Sequence, residues 1–248
     1  MSGHSKWSTI KHKKAKVDAE RGKAFTRLIK DITLAAREGG GDETSNPRLR
    51  TAIAAARAAN MPTTNVERAI KKGTGDLPGV TYEEGLLEGY GPGGVAIYIE
   101  VLTDNRNRTV AEVRHILSKH GGSLAESGAV SWMFEKKGLI TVPGEGLDED
   151  ELLMIVMDAG AEDLTTEEEF FEITSSIDDL EKVRSALESN GVKVASCGLT
   201  QYPKNTVKVE GKDAEHLLKI LDFLEDHDDV QQVYSNFDMD VSVMEQME

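Results

Sequence analysis

The first third of the chain has apolar side chains at every third or fourth position, a spacing typical of helices with one buried face. This pattern predicts a helix that begins near Val17 and ends at the glycine run Gly39–Gly41. Its predicted apolar face consists of Phe25, Leu28, Ile29, Ile32, Ala35 and Ala36. Basic residues lie on the opposite face, so the helix is expected to have a positively charged outer side.

Two further helices are predicted in the same region. Asn46 has the side chain of an N-cap and Pro47 suits the first helical position, which together predict a second helix. Thr64 and Glu67 have the spacing of a capping box, which predicts a short third helix ended by Gly73. This part of the chain is therefore expected to form a three-helix module, and a linker rich in glycine and proline follows it.

Beyond the linker, apolar positions form short strand-like runs separated by helical segments. The block 132–202 predicts the order β-α-β-α-β with its first strand doubled, which is typical of a ferredoxin-like sandwich. The flanking pieces, 79–131 and 203–248, are each too small for a core and are expected to combine into a second sandwich. A tight hairpin is predicted at Gly89–Gly94. The expected fold class is α+β: a helical N-terminal three-helix domain, 1–78, followed by two ferredoxin-like α/β sandwich domains, one inserted in the other.

Charge divides the chain at the same linker. Residues 1–72 contain 16 Lys and Arg against 7 Asp and Glu, a net charge of +9, whereas residues 73–248 contain 13 against 37, a net charge of −24. A basic module joined to an acidic body can present one side to a polyanion while the other side repels it. With one cysteine and no long apolar run, the composition fits a cytoplasmic protein without disulfides or membrane spans.

The basic residues of the first third are the candidate nucleic-acid contacts, because lysine and arginine neutralise phosphates and release counterions. The arm before the first helix contributes Lys6, Trp7, Lys11, His12, Lys13, Lys14 and Lys16. The helices contribute Lys23, Arg27, Lys30, Arg37, Arg50 and Arg57. Trp7 could stack on an unpaired base, or it could pack on the helices. The plainer alternative for the whole set is a solvated tail beside an ordinary solvated helix face.

A second candidate contact lies at Asp104–Arg108, between a strand and a predicted helix that opens with a capping box of Thr109 and Glu112. Arg106 and Arg108 could hold a phosphate there, and the alternative is a polar turn with local hydrogen bonds. The turn between the second and third helices would favour a helix–turn–helix in the DNA major groove. However, the short third helix offers few side chains suited to base edges.

No catalytic or metal-binding constellation stands out in the sequence. The string Gly89–Gly94 matches G-x-G-x-x-G, but a β-branched strand follows it where a dinucleotide site needs a helix. His115 and His120 fall on different helix faces, and Cys197 has no histidine nearby. The carboxylate runs lack the spacing and central glycine of an EF-hand. The sequence therefore predicts a protein that is not an enzyme and needs no cofactor or metal.

Several long motifs, spread along essentially the whole chain, resemble the YebC family. They are Gly3-His4-Ser5-Lys6-Trp7, Arg21-Gly22-Lys23-x-Phe25, Gly39-Gly40-Gly41-Asp42, Asn46-Pro47-Arg48-Leu49-Arg50, Glu88-Gly89-Tyr90-Gly91-Pro92-Gly93-Gly94, Asp104-Asn105-Arg106-Asn107-Arg108-Thr109, Ala161-Glu162-Asp163 and Asp228-Asp229-Val230-Gln231-x-Val233-Tyr234. The resemblance implies a helical N-terminal domain and two ferredoxin-like domains. It also implies a cytoplasmic bacterial protein, usually described as a transcriptional regulator that binds DNA.

The resemblance leaves two functions open. One is a DNA-binding transcriptional regulator. The other is a ribosome-associated translation factor that binds rRNA or tRNA and relieves stalls such as those at proline runs, because the family includes a mitochondrial translational activator and ribosome-associated bacterial members. Both functions need phosphate contacts, so charge does not separate them. A protein partner is the expected ligand of the acidic domains, and no membrane contact is expected.

Overall fold

The structure, a computed structural model, describes the backbone of residues 17–166 and 170–239 and the side chains from Gly22 onward within those ranges. In chain order the elements are α1 (Val17–Gly39), α2 (Pro47–Ala58), α3 (Thr63–Thr74), β1 (Glu83–Tyr90), β2 (Ala96–Thr103), α4 (Arg106–Lys119), β3 (Ser123–Leu124), β4 (Phe134–Pro143), α5 (Glu149–Asp158), β5 (Ala161–Thr166), β6 (Phe170–Ser175), α6 (Leu180–Ser189), β7 (Ser196–Pro203), β8 (Val207–Lys208), α7 (Gly211–Glu225), β9 (Val230–Ser235) and β10 (Phe237–Asp238).

These elements form two compact units: Trp132–Asn205 is one, and the described residues before and after it form the other. The fold is α+β, with a helical N-terminal region followed by sheet-containing parts. The finer division at residues 78, 131 and 202 stays a prediction. Within the two described ranges, no helix has both the length and the apolar character needed to cross a bilayer.

The helices α1 and α2 are held together by the predicted cap of α2. The Asn46 side-chain oxygen accepts a hydrogen bond from the Leu49 N–H at 3.0 Å, as expected of an N-cap. Its amide nitrogen donates to the carbonyl oxygens of Ala35 and Gly40, each at 2.8 Å. Asn46 therefore satisfies backbone groups of both helices. A shared apolar core lies below this joint, with Ile32 fully buried at its centre.

The predicted bounds of α3 are wrong at both ends. The helix begins at Thr63 after Pro62 and has no side-chain cap, so the expected capping box does not form. It also continues through Gly73 and ends before Gly75, which has the positive φ of 87° typical of a helix terminus. A Cβ on Gly73 would lie 2.4 Å from the Thr33 carbonyl oxygen. Gly73 is therefore needed for the close approach of α1 and α3 rather than for ending the helix.

The unit Trp132–Asn205 has the ferredoxin-like arrangement. Its four strands lie in the order β5-β6-β4-β7 with antiparallel neighbours, and α5 and α6 contribute to one apolar core with them. The predicted doubling of the first strand is wrong, because β4 is continuous over ten residues. The fourth strand is instead β5, which sequence reasoning missed. Most of its six residues are exposed or half-buried, so it lacks an alternating apolar signal.

The other sheet has the order β3-β1-β2-β9, also with antiparallel neighbours. Its strands occupy the positions of a ferredoxin-like sheet, but β1 comes first in the chain and takes the place that β6 has in the other unit. Helices α4 and α7 cover one face of this sheet around Ile97, Ile99 and Leu217. Tyr90 pairs with Ala96 at the predicted hairpin, so the glycine-rich string is a turn between strands.

Candidate nucleic-acid interface

The predicted arm lies outside the residues that the structure describes. Its candidate contacts Lys6, Trp7, Lys11, His12, Lys13, Lys14 and Lys16 therefore stay predictions. The described part of the predicted interface begins with the basic face of α1.

The basic face of α1 contacts an acidic turn of the same unit, Glu225–Asp229, which joins α7 to β9. The Lys23 ammonium lies 2.9 Å from an Asp226 carboxylate oxygen. The Arg27 guanidinium donates to the Glu225 carbonyl oxygen. This face of α1 is therefore directed at carboxylate and carbonyl oxygens of the fold, in the place where a phosphate backbone was expected.

Lys30 is the most buried member of this face. Its ammonium lies 2.6 Å from the Asp229 carboxylate and donates to the carbonyl oxygens of Asp228 at 2.9 Å and Leu102 at 3.3 Å. Only 7% of the Lys30 side chain is exposed. The expectation that Lys30 belongs to an exposed basic stripe is wrong. Helical spacing identifies the face opposite the helical core, but it does not reveal that a turn about 200 residues further along the chain covers that face.

Asp229 is the centre of a polar network that also involves α4. Its carboxylate accepts hydrogen bonds from Arg108 at 2.7 Å and from the hydroxyls of Thr109 at 2.8 Å and Thr103 at 3.2 Å. Burial alone would raise the pKa of Asp229. The hydrogen bonds from Lys30, Arg108 and Thr109 outweigh burial and hold the pKa well below the usual range of an aspartate.

The start of α4 differs from the prediction. Asn105 is the N-cap, and its side-chain oxygen accepts from the Arg108 N–H at 3.1 Å. The expected capping box of Thr109 and Glu112 is therefore wrong, because the Thr109 hydroxyl bonds to Thr103 and Asp229 instead. Hydrogen bonds from the Arg108 side chain to the Asp229 and Asp104 carboxylates raise the pKa of the guanidinium above its usual value.

Glu112, His227 and Asp229 lie close enough to suggest a metal site. However, the Asp229 N–H donates to His227 Nδ1 at 3.0 Å, and His227 Nε2 lies 2.9 Å from Glu112. Both imidazole nitrogens are therefore used, and the Asp229 oxygens already accept from Lys30 and Arg108. Two cations beside the carboxylate oppose a third, so the cluster fits a hydrogen-bonded joint better than a metal site.

The remaining predicted contacts are exposed. Arg57 donates two 3.2 Å hydrogen bonds to the carboxylate of Glu43. Of the Arg57 side chain, 68% is exposed. Arg50 donates weakly to the carbonyl oxygens of Glu43 and Thr44. Arg37 and Arg106 are also exposed, and Arg37 lines a cavity of about 280 Å³ together with Lys72. These arginines can exchange weak surface contacts for phosphates.

Sequence reasoning omitted three exposed cations of α3. Arg68, Lys71 and Lys72 lie on the outer side of a helix that has 12 residues, longer than predicted. The charge count of the first third already contained them. The length of α3 removes its shortness as an objection to a helix–turn–helix, whereas the objection that it offers few side chains suited to base edges still stands.

Comparisons with known proteins identify the family. A profile for the TACO1/YebC protein N-terminal domain matches residues 5–76, and one for the TACO1/YebC second and third domain matches residues 82–237. The chain belongs to the TACO1/YebC family. Among similar TACO1/YebC relatives, a protein from Desulforapulum autotrophicum is 58% identical over 247 residues, covering 100% of both chains. One from Pelotomaculum thermopropionicum is 57% identical, covering 97% of this chain and 100% of its own. Both are named "probable transcriptional regulatory protein".

A solved relative has the same TACO1/YebC fold. The crystal structure of a conserved hypothetical protein from Aquifex aeolicus is 50% identical and superimposes with a TM-score of 0.80, covering 93% of this chain and 96% of its own. The names of the relatives indicate a regulatory protein rather than an enzyme.

Proposed function

We propose that this protein is a non-enzymatic, nucleic-acid-binding regulator of gene expression in the cytoplasm, with DNA as its ligand. The observation that carries the proposal is the set of exposed cations on α1, α2 and α3 in a chain whose remainder is strongly acidic. Their members are Arg37, Arg50, Arg57, Arg68, Lys71 and Lys72. The relatives named as probable transcriptional regulatory proteins support the same conclusion.

The charge distribution sets how such a protein would approach a polyanion. The first 72 residues carry +9 and the rest −24, so a nucleic acid is attracted to the helical region and repelled by most of the rest. The contacts would be mainly to phosphates, because exposed arginines on helices can exchange water and weak partners for phosphate oxygens at little cost.

The test is crosslinking in cells followed by sequencing of the bound DNA and RNA. Wild type should recover defined DNA sites, and purified protein should bind such a site at least ~10³-fold more tightly than random duplex at physiological salt. The variant R37Q/R50Q/R57Q should lose this recovery. The variant K136Q/K193Q is the control, because both lysines are exposed in the unit Trp132–Asn205.

The translation function is the outcome that would replace this proposal. If crosslinking recovered rRNA or tRNA, and duplex DNA showed no preferred site, the protein would act on the ribosome. A variant lacking residues 2–16 should then sediment with ribosomes less than wild type does. A longer deletion through Lys30 is unsuitable, because it would also remove the buried ion pair with Asp229.

A further inference from the structure

The outer faces of α4 and α7 bring together cationic and titratable side chains inside the acidic part of the chain. Burial lowers the pKa of His120, and the positive charges of Lys119, His216, Lys219 and His115 lower it further. These four neighbours are exposed. They come from two helices that are about 90 residues apart in sequence. These residues are far apart in the sequence, and the fold brings them into one cluster.

An exposed aromatic ring lies within this cluster. Phe223 is 46% exposed, and its ring stacks on the His120 ring with centroids 5.3 Å apart and an angle of 16° between planes. The Lys119 ammonium lies 5.8 Å from the Phe223 centroid. Exposed aromatic rings beside cations are the elements that proteins use to bind single-stranded nucleic acid, in which bases stack and phosphates pair with lysine.

The spacing on α7 places these elements in one row. His216, Lys219 and Phe223 are three and four positions apart, so they follow one another along a single helix face. The row is about 10 Å long. That length is comparable with three stacked nucleotides at about 3.4 Å each. We name the surface of Lys119, His120, His216, Lys219 and Phe223 the α4–α7 patch.

We propose that the α4–α7 patch binds single-stranded nucleic acid, with Lys119 and Lys219 on phosphates and Phe223 against a base. The inference rests on the proposed function and adds a contact on a different part of the fold from the helical region. It also changes the expectation that the acidic part repels nucleic acid everywhere. An acidic protein segment would satisfy the lysines, but it would leave the exposed part of the Phe223 ring uncovered.

Two carboxylates of α7 limit the attraction, because Glu215 and Asp222 are next to His216 and Phe223 in the sequence. The lowered pKa of His120 keeps that ring neutral to a lower pH, so we assign the phosphate contacts to Lys119 and Lys219.

The experiment measures the fluorescence anisotropy of a labelled 20-nucleotide oligouridylate with the full chain at several salt concentrations. The charge reversal K119E/K219E should flatten the plot of log K against log salt by about 1.4, since each contact to a single strand contributes about 0.7. Phe223→Ala should weaken binding about fivefold or more, and Phe223→Trp should retain it. The control K136E/K193E makes the same charge change on exposed lysines elsewhere.

The outcomes separate this inference from the proposed function. If wild type binds oligouridylate and K119E/K219E behaves like the control, the patch inference is overturned and the proposed function stands. If wild type binds neither oligouridylate nor duplex DNA, the patch inference and the proposed function are both overturned. If polyglutamate competes as well as the oligonucleotide and Phe223→Ala changes nothing, the patch binds an acidic protein and the nucleic-acid assignment is overturned. Thermal unfolding of each variant confirms that it is folded.

Discussion

The basic residues of the helical region fall into two groups that differ in what faces them. Lys23, Arg27 and Lys30 contact the acidic turn Glu225–Asp229, and Lys30 is buried there. Arg50 and Arg57, on α2, keep their side chains exposed, with only weak surface partners. The first group contacts another part of the fold. A phosphate could reach Lys30 only by breaking a buried contact, whereas Arg50 and Arg57 are exposed.

This difference shows why a count of positive charges overstates a binding surface. Breaking a buried ion pair with satisfied hydrogen bonds costs much free energy, because removing one partner leaves the other charge buried and unpaired. A surface pair in water contributes about 1 kcal/mol or less. A variant of the buried Lys30 should therefore lose stability, whereas variants of Arg50 and Arg57 should lose binding.

The largest effect is expected for Lys30→Met. The change leaves the buried Asp229 carboxylate without its 2.6 Å partner, and we expect a loss of about 3 kcal/mol in the free energy of unfolding. Lys23→Met is the matched control, since that pair is about 40% exposed and should contribute below about 1 kcal/mol. Urea unfolding measures both. Equal losses of unfolding free energy for the two variants would mean that burial of the Lys30 pair adds nothing to stability.

A second effect concerns Asp31, which lies near the same cations. Burial raises its pKa to about 6, and Arg48, Arg27 and Lys30 only partly oppose the rise. Because the folded state binds this proton more tightly than the unfolded state, the wild type should lose stability as the pH rises through about 6. At pH 8 the free energy of unfolding of Asp31→Asn should therefore be about 2 kcal/mol higher than that of wild type. The advantage should vanish near pH 4 in parallel urea titrations, and an advantage that persists unchanged at pH 4 would contradict the account.

A smaller effect separates the two arginines at the start of α4. Arg108 donates to the Asp229 and Asp104 carboxylates, so Arg108→Gln should lower the free energy of unfolding by about 1 to 2 kcal/mol. Arg106 is exposed, and Arg106→Gln should change the free energy of unfolding by less than about 0.5 kcal/mol. Thermal melts of the pair provide the measurement. A larger loss for Arg106 would reverse the roles assigned to them.

The smallest stability effect is expected for the exposed group itself. Arg50→Gln and Arg57→Gln remove only surface contacts near Glu43, so each should change the free energy of unfolding by less than about 0.5 kcal/mol. Chemical denaturation of both variants against wild type would show this. A loss comparable to that of Lys30→Met would place these arginines in the fold-holding group.

The sequence predicted local structure better than it predicted contacts between distant segments. The Asn46 cap and the hairpin at Tyr90 and Ala96 were found because their signals lie within a few residues. Strand β5 was missed because it is an edge strand with little apolar alternation. The burial of Lys30 was missed because its partner, Asp229, is 199 residues away and no periodicity links them. The α4–α7 patch was missed for the same reason.

The central claim is that the two groups of basic residues have separate roles, and the salt dependence of DNA binding tests it most directly. For a duplex, each phosphate contact contributes about 0.9 to the slope of log K against log salt. The variant R37Q/R50Q/R57Q should therefore flatten the slope by about 2.7 relative to wild type, whereas Lys23→Gln should leave it unchanged. A flattened slope for Lys23→Gln together with an unchanged slope for the triple variant would contradict the account.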